Sequence, residues 1–208
     1  LLLAGARDPD AVVRKNVMRI AAEQDNSGAA PPPKLVRALL ADPDQRVRLA
    51  ALVAGSTVTP TAELADAIVA AWPTLKNPHL EVAALAVSAK DPLLFLNAAF
   101  AAQDPALVVG MVSQLARQVA NQNNPDSARA LVVALAGQPA ATGALKATAL
   151  QALTANLKPD VKPAADAALG SALKQLLASD QTAGVVLPLI GRWNFAGQVG
   201  DAAKSAVT

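Results

Sequence analysis

The sequence predicts an all-α fold, an α-solenoid of stacked antiparallel helix pairs making one domain over residues 1–208, and three observations carry that expectation. Asp8-Pro9-Asp10-Ala11-Val12-Val13-Arg14 returns as Asp42-Pro43-Asp44-Gln45-Arg46-Val47-Arg48 one helical hairpin later, the spacing at which repeat units stack. Asp or Asn followed by Pro recurs at Asp8, Asp42, Asn77, Asp91, Asp104 and Asn124. Such a pair starts helices, because the side chain accepts a free first-turn amide and Pro presets φ. Hydrophobic residues make up 53% of the chain and aromatics 2%, so burial rests on Ala, Leu and Val, which let helices approach closely.

Taken in order, apolar spacing of three and four predicts helices over 10–24, 34–41, 44–54, 61–72, 79–88 and 93–101, then 106–121, 126–136, 142–157, 161–178, 182–190 and 196–206. No segment alternates with period two. Leu1-Leu2-Leu3-Ala4-Gly5-Ala6 has the small residues of a signal-peptide end but no start Met or basic n-region; it reads as the end of a helix belonging to a longer protein. The segment 25–33, with Gly28 and three prolines, reads as a surface linker.

Within the two clear repeats, Val13 and Val47 are expected to face the core. Arg14 and Arg48 follow at identical positions, so stacking would align them. Each could bond the capping Asp or turn carbonyls of the next unit, giving a structural ladder of Asp8, Arg14, Asp42 and Arg48. The third unit, Asn77-Pro78-His79-Leu80-Glu81-Val82-Ala83, is read as keeping the Val at 82 and replacing the Arg with Ala83. The ladder should weaken there.

The same residues exclude much chemistry. With no cysteine there is no disulfide, thiolate ligand, thiol nucleophile or c-type haem attachment. His79 is the single histidine and follows a helix-starting Pro, so it reads as an exposed first-turn residue. A second His for a zinc pair is lacking, and no catalytic, cofactor-binding or metal-ligating residue is expected. Gly137-Gln138-Pro139-Ala140-Ala141-Thr142-Gly143 lacks the Lys and spacing of a phosphate loop and reads as an interhelix turn. Gly170-Ser171 lies in a helical pattern with no strand before it. Arg14, Lys15 and Arg19 form one basic cluster and Arg37, Arg46 and Arg48 another, but Asp8, Asp10, Glu23, Asp42 and Asp44 are interleaved and the net charge is only +2. Salt-laced helix faces account for them better than a nucleic-acid groove. Trp72, Phe95, Phe100, Trp193 and Phe195 read as core plugs. No uncharged stretch is long enough to span a membrane.

The Asp-Pro-x-x-x-Val-Arg units resemble HEAT-type repeats. A wider succession adds Gln114-Leu115-Ala116, then Asn123-Asn124-Pro125-Asp126, then Leu189-Ile190-Gly191-Arg192-Trp193-Asn194-Phe195. This order is similar to the central helical region of large planctomycete and verrucomicrobial membrane-bound dehydrogenase-type proteins. That resemblance implies a dehydrogenase-like β-propeller before the helices, a c-type cytochrome domain after them and a periplasmic location, with no catalytic residue carried over to this segment. The function expected is a noncatalytic scaffold or protein-interaction module, its partners being other proteins or neighbouring domains. A nucleic-acid-binding solenoid and a bilin-lyase-like enzyme, the latter known among HEAT-like families, are the alternatives.

Overall fold

The computed structural model describes residues 2–23 and 33–205; most of the expected 25–33 linker lies outside them. Thirteen α-helices and no strand occur among the described residues. Their packing divides the chain into two compact units, Leu1–Ala102 and Gln103–Thr208.

The first unit holds α1 (Leu2–Gly5), α2 (Ala11–Glu23), α3 (Pro33–Leu40), α4 (Gln45–Gly55), α5 (Ala62–Ala71), α6 (Pro78–Ser88) and α7 (Pro92–Phe100). α2 packs on α4 and α4 on α6, while α3 packs on α5 and α5 on α7. The even and odd helices thus form two rows, joined most closely where α3 meets α4. Met18, Leu35, Leu39, Leu52, Ile68 and Phe95 fill the space between them. α1 lies close on α2 at Gly5, where a Cβ would come within 2.7 Å of Val17 Cγ2. Here glycine permits the approach.

Three of the sequence readings are corrected in this unit. In both Asp-Pro-Asp repeats the helix starts two residues later than the Pro rule places it. Asp10 and Asp44 accept the amides of Val12 and Arg46, at 2.8 Å each, and Asp44 is the N-cap of α4. Asp8 and Asp42 instead close a turn over the amides of Asp10 and Asp44, at 2.9 Å. Val13 does not match Val47: it is 38% exposed while Val47 is fully buried, because α4 is flanked by α2 and α6 whereas α2 has only α4 beside it in its row. Finally, Val82 does not hold the core position of the third unit. Cap for cap, Asn77 answers to Asp44, so Leu80, buried, stands where Val47 does, and Val82 is 65% exposed.

The second unit holds α8 (Val109–Asn121), α9 (Pro125–Gly137), α10 (Gly143–Asn156), α11 (Ala167–Leu177), α12 (Asp180–Trp193) and α13 (Ala196–Ser205). Its packing again forms two rows, α8–α10–α12 and α9–α11–α13. Asn124 caps α9 through the amides of Asp126 and Ser127, as the Asn-Pro signal requires. Two helices change their bounds. The stretch 161–166 is not helical; Pro163 in its middle would cost an N–H bond and crowd the preceding turn, and Asp166 caps α11 instead by accepting the Leu169 amide at 2.8 Å. α12, expected over 182–190, is longer at both ends and runs from Asp180 to Trp193 with Pro188 inside it. Its end is tied down: Arg192 Nη1 donates to the carbonyls of Thr154 and Leu157, each at 2.9 Å, and Trp193 Nε1 donates to that of Val161 at 3.1 Å.

Four of the five aromatics, Phe95, Phe100, Trp193 and Phe195, are buried. Trp72 is half-buried at the C-terminal end of α5. Among the described residues no single helix is long and apolar enough to cross a membrane.

Candidate functional site

Arg14 projects from the first turn of α2 and is held by two groups at once. Its Nε and Nη2 donate to Asp42 Oδ2 and Oδ1 at 2.6 and 2.9 Å, and its Nη1 donates to the carbonyls of Asp8 and Pro9 at 2.8 and 3.0 Å. The paired side chains are 13% and 5% exposed. A fork on a carboxylate fixes both partners in plane. The Arg14 hydrogen bond holds the Asp42 carboxyl below the usual carboxylate range, although burial acts the other way.

Arg48 occupies the equivalent place on α4 but meets different neighbours. Its Nη1 donates to the Thr74 carbonyl at 3.1 Å, and its Nε is buried with no partner. The physical reason lies two residues before the next cap: Asp42 precedes Asp44 there, whereas fully buried Leu75 precedes Asn77. The carboxylate that would complete the fork is missing. Arg46 is drawn to its own helix start, where it donates to Asp44 at 2.7 Å and, with the Arg46 amide, brings the Asp44 carboxyl to about 2. Arg14 and Arg46 therefore spend their donors on the protein itself. Of the four residues read as a ladder, the structure brings Asp8, Arg14 and Asp42 together, with Asp8 contributing only its carbonyl; Arg48 meets a carbonyl of the turn before α6.

Related ties occur in the second unit, where sequence reading found none. Arg129 Nε on α9 donates to Asp166 Oδ2 at 2.5 Å, linking α9 to the start of α11 and holding the Asp166 carboxyl low. With Arg192 on the end of α10, the arginines bridge adjacent members of a row. An Asp-Pro motif marks neither Arg129 nor Arg192, so their partners had no signal at fixed spacing.

His79 is exposed, and its amide is bound by Asn77 Oδ1 at 2.9 Å, as a first-turn residue should be. Among the described residues no group of three His, Asp or Glu side chains could hold a metal ion. Polar groups line several recesses. One of about 410 Å³ lies among Arg37, Asp42, Arg48, Ala71 and Thr74; Arg14 and Thr74 already engage its Asp42 and Arg48. A second, about 530 Å³, lies among Asp166, Ser171, Lys174 and Gln198 in the second unit, where Arg129 already engages Asp166. A third, about 290 Å³, surrounds Lys146 in the same unit. Apolar residues also sit one turn apart on each of the adjoining helices α4 and α6: Leu49 and Val53 on α4, Val82 and Ala86 on α6. Leu49 is half-buried, whereas Val53 and Val82 are 55% and 65% exposed.

No protein family, curated protein or solved structure matches the chain.

Proposed function

We propose that this chain is a noncatalytic HEAT-like α-solenoid that serves as a scaffold or protein-interaction module. The single observation that carries the reading is the set of apolar residues Leu49, Val53, Val82 and Ala86 on two adjoining helices of one row. Val53 and Val82 are large aliphatic side chains exposed on adjoining helices, and a contiguous apolar surface is what other proteins cover. The arginine ties support the scaffold half of the reading, since they fix neighbouring helices. The resemblance of the helical order supports placing the segment between a dehydrogenase-like propeller and a c-type cytochrome domain; a downstream Cys-x-x-Cys-His in the same reading frame is the sequence that such a parent requires.

The test replaces Val53 and Val82 together by Asp. Loss of co-purifying protein or neighbouring-domain contacts, with an unchanged unfolding midpoint, is the outcome the interaction reading expects. Substrate turnover by the isolated chain that vanishes on a single side-chain substitution defeats the scaffold reading.

A further inference from the structure

The recess around Lys146 is where the rows of the second unit bring four helix ends together. Ala136 and Gln138 come from the end of α9, Gly143 and Lys146 from the start of α10, Gln175 and Leu176 from the end of α11, and Ser179 and Thr182 from the start of α12. Two of these ends offer acceptors and two offer donors. The acceptors are already used. Lys146 Nζ donates to the Gln138 carbonyl at 2.6 Å, and Thr182 Oγ1 donates to the Leu176 carbonyl at 2.5 Å.

The donors are not matched in the same way. Neither the 3-10 turn Ala140–Thr142 that leads into α10 nor α12 itself receives a side-chain cap, although Ser179 stands at the N-cap of α12 with a hydroxyl suited to it. Lys146 is 8% exposed, and its ammonium, with three N–H groups, makes the one bond to Gln138. Burial alone pushes its pKa down; no carboxylate acts to raise it. A buried cation without a counter-ion is costly. Asp180, the acidic residue of the first turn of α12, is exposed to solvent.

We propose that this recess binds a carboxylate, carried either by a small free acid or by an acidic side chain of a partner, with the anionic group on Lys146 Nζ and the uncapped start of α12. Ala136, Ala140 and Leu176 give it an apolar wall for a short aliphatic stem. Its volume lies just below the usual range of ligand pockets, which suits a stem of the length found in Glu and in butyrate. This site is independent of the face proposed on α4 and α6, so either can fail alone.

The experiment titrates the isotopically labelled chain with sodium butyrate, with a blocked Ala-Glu-Ala peptide, and with its Ala-Gln-Ala counterpart, all against sodium chloride of equal ionic strength. Saturable amide shifts centred on Gly143, Lys146, Ser179 and Thr182 are expected with butyrate, the Glu peptide or both, and not with the Gln peptide or chloride. Butyrate alone identifies a free acid, and the Glu peptide alone a side chain. Lys146→Met, which keeps the length without the charge, should weaken binding by about tenfold or more; if that variant does not fold, the wild-type shift map and Ser179→Ala, expected to weaken binding severalfold, decide the matter. The absence of saturation with both carboxylates, shifts located elsewhere, equal response to chloride, or undiminished binding by Lys146→Met overturns the proposal.

Discussion

Arg14 and Arg48 stand at one position of a repeated motif, yet loss of their contacts should differ in cost. Arg14 makes a two-pronged bond to a carboxylate that is almost wholly buried, so truncating Asp42 strands the guanidinium and the Asp44 amide together. Asp42→Ala should cost about 1.5–3 kcal/mol. Arg48 offers a single bond to a carbonyl and carries a buried Nε with no acceptor; Arg48→Met removes an unmet donor and keeps the packing of the stem, so stability should change by less than about 1 kcal/mol. Urea denaturation over a pH series tests both. The folded-state pKa of Asp42 is lowered, so its contribution is complete above the unfolded carboxylate value of about 3.9 and is lost as pH falls through the folded value. The gap between wild type and Asp42→Ala should therefore be constant from pH 7 to about 5 and narrow progressively below about 4. A gap that does not narrow as the pH falls below about 4, or an Arg48→Met loss as large as that of Asp42→Ala, is incompatible with this account.

At the level of helices, most of the pattern was legible because punctuation and apolar spacing are local. Asn77, Asp91, Asp104 and Asn124 all cap the element that follows them. What escaped has two causes. In the first two Asp-Pro units a second Asp follows and takes the cap, so the helix starts two residues after the Pro. The end of α12 was set by tertiary partners: it runs beyond the expected residue 190 to Trp193, where Arg192 and Trp193 are anchored. That end closes on Asn194, whose φ of 60° is left-handed, while the Phe195 amide reaches back to the Ile190 carbonyl at 3.0 Å. Asn tolerates this conformation better than residues with other side chains do, and Gly best of all. Asn194→Ala should destabilise the protein by about 1 kcal/mol, whereas Asn194→Gly should leave it unchanged or slightly more stable. Thermal unfolding of the two variants checks the order, and equal midpoints would remove the strain from the argument.

For the whole chain, the repeat pointed to the part of the site that lies within the Asp-Pro units and to none of the rest. Arg14 was readable because its partner recurs at a fixed distance in sequence; Arg129, Lys146 and Arg192 were not, because their partners are chosen by which helices lie side by side. Those ties remain local in space. Arg129 with Asp166, Lys146 with Gln138 and Arg192 with Thr154 all fall inside Gln103–Thr208, as do the buried Met111, Leu115, Leu131, Leu150, Leu173 and Trp193. A unit that contains its own core and its own ties meets the requirement for folding alone. Residues 103–208 expressed by themselves should therefore give a helical circular-dichroism spectrum and a single cooperative denaturation transition. The sharper test is transfer of a substitution: Asn194→Ala should cost the fragment the same as it costs the full chain, within about 0.5 kcal/mol. A fragment without a cooperative transition, or a cost that differs by more than that margin, would mean that the second unit draws its order from residues outside it.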